Sequence, residues 1–78
     1  MNEQDIYIVR ASGAGWAVHL NSQTLGVFDK RPQAIQAAVM VAQASGRAGR
    51  VSGVLSEEAG GEMFPIWQVG RDSYSALN

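Results

Sequence analysis

The sequence predicts an α+β domain: a single antiparallel sheet with one helix packed on one face, in the chain order β-β-β-α-β-β. The chain has 78 residues, of which 46% are hydrophobic and 17% charged, so it holds enough apolar side chains for one core. Short β-branched and aromatic runs between turn residues predict strands, and one longer segment with helical spacing predicts a helix. We expect one domain over residues 1–78, with loose ends at 1–5 and 71–78.

The first three predicted strands cover residues 6–10, 16–20 and 24–28. The first connection contains Gly13 and Gly15, and glycine adopts the turn conformations that other residues avoid. The second connection is a short polar turn. Because parallel neighbours need a long crossover, these short connections predict an antiparallel meander.

The helix is predicted over residues 31–45. Pro32 falls in its first turn, where a missing N–H has no partner to lose, and Gly46 is the expected C-terminal cap. One face carries apolar residues at helical spacing: Ile35, Ala38, Val39 and Ala42. Because half of this stripe is alanine, we expect the helix to approach the sheet closely.

Two further strands are predicted after the helix, over residues 51–55 and 64–69. The segment between them is acidic and rich in glycine, which is typical of a solvated hairpin loop. Pro65 lacks a backbone donor, so the last strand is expected at an edge of the sheet or to begin after the proline.

The charge balance and the absence of cysteine argue against several classes of protein. Six Lys and Arg residues face seven Asp and Glu residues, for a net charge of −1, whereas nucleic-acid binders usually carry a basic surplus. The absence of cysteine excludes disulfides, thiolate metal sites and thiol nucleophiles. The first residues are acidic and polar, unlike a signal peptide, and no apolar run reaches the about 18 residues of a membrane helix. We therefore expect a cytoplasmic protein with no membrane segment.

Catalytic and metal-binding patterns are missing from the sequence. His19 is the single histidine, and a metal site needs several ligands. Ser12, Ser22 and Asp29 lie near it in the sequence, but no nucleophile or oxyanion-hole motif accompanies them. The glutamates of loop 56–62 do not have the spacing of a calcium loop. We expect no catalytic residues, no metal and no cofactor.

The outer face of the helix is the first candidate site. No charged residue lies between Pro32 and Gly46, although a solvated helix face normally carries Lys and Glu. A glutamine-rich helix that simply faces water is one interpretation. The other is a protein contact face, with methionine as an adaptable apolar group. We predict that this face binds a second copy of the chain, as a homodimer, or another protein. The candidate contact residues are Gln33, Gln36, Met40 and Gln43.

The basic residues provide an alternative function, nucleic-acid binding through the three-stranded sheet face. Arg47 and Arg50 flank the end of the helix, where cations also stabilise the helix dipole without any ligand. The sequence does not show whether the basic residues cluster. The candidate nucleic-acid contacts are Arg10, Trp16, Lys30, Arg31, Arg47 and Arg50.

Several short motifs resemble those of a known family. The motifs are Tyr7-x-Val9, Gly15-Trp16-x-Val18, Val27-Phe28-Asp29-Lys30 and Ala34-Ile35-x-Ala37-Ala38. Together they resemble a family of small bacterial proteins classed only as a domain of unknown function, over roughly residues 6–55. The sequence departs from that pattern at Lys30, Pro32 and Gln33. The resemblance implies the fold and no particular activity.

A second, shorter set of motifs is similar to the AP2-type DNA-binding domain. The motifs are Trp16-Ala17-Val18-His19-Leu20, Leu25-Gly26-Val27-Phe28-Asp29 and Ala34-x-x-Ala37-Ala38. That family has three strands followed by a packed helix, and it reads DNA with arginines and tryptophans on the open sheet face. The similarity implies that Arg10 and Trp16 stand at comparable places here.

Overall fold

The computed structural model describes residues 4–74 and confirms the α+β architecture and the chain order. One helix packs on one five-stranded sheet. The elements are β1 Gln4–Ser12, β2 Gly15–Leu20, β3 Gln23–Phe28, α1 Arg31–Arg47, β4 Val51–Glu57 and β5 Met63–Gln68. Each predicted strand is present, and most extend one or two residues beyond the predicted bounds.

The sheet is mixed, so the prediction of a purely antiparallel sheet is wrong for one pair of strands. The strand order is β3-β2-β1-β4-β5, and β1 pairs with β4 in parallel while all other pairs are antiparallel. Strand β3 runs in the same direction as β1, and α1 carries the chain back before β4 begins. The helix is therefore the crossover that a parallel pair requires.

The core lies between α1 and the sheet, as the helical stripe predicted. Ala38 and Ala42 of this stripe have no exposed surface, and neither has Ala34, which was not predicted as part of it. They face strand residues that include Val9 and Val54, which are also fully buried. Ile35 and Val39 are partly buried and pack against the same cluster. Since alanine is small, the helix backbone sits close to the strands.

The helix ends two residues later than predicted, and Gly46 is a packing residue instead of its cap. Ala48 is the C-terminal cap, followed by Gly49 with a φ of 92°. At Gly46, a Cβ atom would collide with the Tyr74 hydroxyl and crowd Ser52 Oγ. Gly46 is therefore needed because the chain packs against its helix there.

The segment after β5 folds back against the sheet and the end of α1. The indole Nε1 of Trp67 donates a hydrogen bond of 2.9 Å to the Ser73 carbonyl oxygen. The Tyr74 ring meets the Trp67 ring edge-on, with 5.3 Å between the ring centres. The Arg47 guanidinium lies 4.8 Å from the centre of the Tyr74 ring. These contacts dock the segment as far as Tyr74, the last described residue.

The structure describes only part of each chain end that was expected to be loose. Gln4 and Asp5 belong to β1 and pair with β4. Residues 1–3 and 75–78 lie outside the described part of the chain. Within residues 4–74, no helix has the length and apolar character needed to cross a membrane.

Candidate functional site

An open groove lies between the edge strand β3 and the outer flank of α1. The helix contributes three of the predicted contact residues, Gln33, Gln36 and Met40, all of which are exposed. The strand contributes Val27 and Phe28. Met40 is 62% exposed and Val27 63% exposed, which is high for apolar side chains in a small protein. The structure thus brings most of the predicted helix face next to an apolar strand edge.

Gln43 does not belong to this exposed surface, so its predicted place on the outer face is wrong. Its side chain is only 2% exposed. It lies one turn before Gly46, where Tyr74 packs. The returning C-terminal segment covers this end of the helix, and helical spacing alone gives no sign of that cover.

Three exposed apolar residues beside the groove were missed by the sequence interpretation: Leu25, Val27 and Val41. The register between β2 and β3 shifts at Leu25, because Val18 pairs with Gly26 while His19 pairs with Thr24. Leu25 is left without a partner on β2 and lies beside Val41 of the helix. We call the combined surface the β3–α1 face. Its residues are Leu25, Gln33, Gln36, Met40 and Val41. The Val27 side chain lies on the other side of the sheet, with its register partner Ala17 and with Arg10.

Strand β3 is an edge strand whose only device against pairing is the bulge at Leu25. Natural edge strands commonly carry charges or proline, which hinder association with another strand. Residues 23–28 contain neither. The opposite edge strand, β5, contains Pro65. The β3 edge is therefore the better template for an additional strand.

Two of the candidate nucleic-acid contacts lie on opposite sides of the sheet. Arg10 points away from the helix, and its Nε lies 3.0 Å from Glu57 Oε1, off the direction of a well-formed hydrogen bond. Arg31 lies at the start of α1, with its guanidinium 5.7 Å from the centre of the Trp16 ring. It donates hydrogen bonds of 2.8 Å to Glu58 and of 2.7 Å to the Ser56 hydroxyl.

The other basic candidates lie at the two ends of the helix. Lys30 is the N-cap residue, and its backbone N–H donates to Gln33 Oε1 at 3.2 Å. Arg47 stacks on Tyr74, and Arg50 binds Asp5 through two hydrogen bonds of 2.6 and 2.8 Å. The structure thus brings Lys30, Arg31 and Trp16 together at the start of the helix and Arg47 and Arg50 at its end, with Arg10 on the other side of the sheet, and carboxylates partner three of the arginines. This arrangement does not favour a nucleic-acid interface.

Asp5 joins β1 to the end of the helix. Its carboxylate accepts the two bonds from Arg50 and a hydrogen bond of 2.6 Å from the Ser45 hydroxyl. The Arg50 and Ser45 bonds lower the pKa of Asp5 from 3.8 to about 2. Burial raises the pKa of the neighbouring Tyr7, which is therefore neutral at physiological pH.

We expect Asp5→Asn to lower the free energy of unfolding by roughly 1–2 kcal/mol near pH 6. The folded-state pKa of Asp5 is depressed, so its ionised form stabilises the fold above pH 4. This contribution is lost as the pH falls from about 4 towards 2. Urea unfolding of both proteins at several pH values measures the difference. A stability difference that stays constant down to pH 2.5 would contradict this role of Asp5.

The polar residues considered for chemistry do not converge. Ser12 and Ser22 are exposed turn-proximal residues, and His19 shares a hydrogen bond of 3.1 Å with the Thr24 hydroxyl. In residues 4–74, no group of three or more histidine or carboxylate side chains is placed to hold a metal ion. The described side chains therefore offer a binding surface more clearly than a reaction centre.

Comparison with known proteins adds no further candidate. No protein-family model matches the sequence, and neither a curated protein nor a solved structure shows significant similarity. The candidate function therefore rests on the geometry of the β3–α1 face.

Proposed function

We propose that the protein is a non-catalytic interaction module that self-associates through the β3–α1 face. One observation carries this proposal. An edge strand without charge or proline lies beside a helix flank, where exposed Leu25 meets exposed Val41 and exposed Met40 borders the same groove. Exposed apolar patches of this kind, bordered by polar residues, are typical of protein–protein contact surfaces.

The proposed occupant of the face is a second copy of the chain. Two β3 strands related by a two-fold axis run antiparallel and extend the sheet from five strands to ten. The two helices then lie side by side near the axis, with Met40 and Gln36 in contact across it. Neither β3 nor the helix between Pro32 and Gly46 carries a charge, and Asp29 is the one charged residue that lines the groove.

The test compares Met40→Glu with the matched control Phe64→Glu. Phe64 is 59% exposed and lies on the opposite edge strand, so it receives the same charge at similar exposure. Glutamate and methionine have similar helix propensities, so the helix is retained. We expect Met40→Glu to weaken association at least about 100-fold, because two carboxylates then meet in an apolar contact. Sedimentation velocity should show the mass of the assembly halved for Met40→Glu and unchanged for Phe64→Glu.

Two results would refute this proposal. One is a wild-type protein that sediments as a monomer from about 10 μM to about 1 mM. The other is an equal loss of association in Met40→Glu and Phe64→Glu, which would place the contact elsewhere. Far-UV circular dichroism of each variant shows that the fold is retained.

A further inference from the structure

We draw no further inference here: the strongest candidate, the partly exposed apolar patch of Ile6, Ile8 and Leu55 on the face of the sheet away from α1, carries nothing because nothing within residues 4–74 shows what covers it.

Discussion

Trp67→Ala is expected to lower the free energy of unfolding by about 3–5 kcal/mol, the largest effect of any substitution considered for this protein. Trp67 is only 6% exposed and belongs to the core cluster. It pairs with the fully buried Val54 on β4 and meets the ring of Tyr74. Its indole N–H also donates a hydrogen bond to the Ser73 carbonyl oxygen. Alanine therefore removes both a large core side chain and the hydrogen bond that fixes the segment after β5.

Two further variants separate the contributions of Trp67. Trp67→Phe keeps an aromatic ring but loses the hydrogen bond to Ser73, so its loss of stability should be about half that of Trp67→Ala. Phe64→Ala on the same strand, at a largely exposed residue, should change stability by at most about 0.5 kcal/mol. Urea unfolding measures all three. A loss below about 1 kcal/mol for Trp67→Ala would show that Trp67 does not hold the core together.

Ala38→Leu is expected to destabilise the protein by about 1–3 kcal/mol. Ala38 has no exposed surface and lies in the middle of the stripe where the helix meets the sheet. A leucine there adds three carbon atoms to a filled interface, so the helix must move away from the strands or the side chain must adopt a strained rotamer. Ala38→Leu therefore tests how closely the helix packs against the sheet.

Ala44→Leu is the matched control for this substitution. Ala44 is exposed on the same helix, and leucine and alanine have similar helix propensities. We expect a change within about 0.5 kcal/mol when urea unfolding is measured at low protein concentration. Equal destabilisation by both substitutions would mean that packing against the sheet is not the cause.

Local patterns in the sequence were sufficient for the elements and for one face of the helix. Short β-branched and aromatic runs between turn residues located all five strands, and Pro32 marked the first turn of α1. The helical spacing of Ala38 and Ala42 identified the buried side correctly, because burial of that side follows from residue spacing alone.

The arrangement of the strands depends on contacts between distant residues and was not predictable in the same way. Nothing in residues 51–57 indicates that they pair with β1 instead of continuing at the β3 edge. The helix permits either place, and the parallel pairing with β1 puts fully buried Val54 beside Tyr7 in the core. The sequence therefore predicted the five strands but not their order in the sheet.

The candidate site was predictable only in part, because local helix geometry places some of its residues and contacts between distant parts of the chain place the others. Gln36 and Met40 are exposed as expected, since their place on the helix is a local property. Gln43 is buried although its helical spacing places it on the outer face, and this burial is a tertiary property that residue spacing does not encode. Leu25 reaches the site because the register between β2 and β3 shifts, which no residue pattern marks.

Amide hydrogen exchange of β3 at two protein concentrations tests the proposed self-association most directly. In a monomer, the backbone amides of β3 that face away from β2 are unpaired and exchange quickly. If two β3 strands pair across a two-fold axis, these amides should exchange at least about 10-fold more slowly at high concentration, with less change in β5. Exchange rates in β3 that are the same at both concentrations would contradict the pairing.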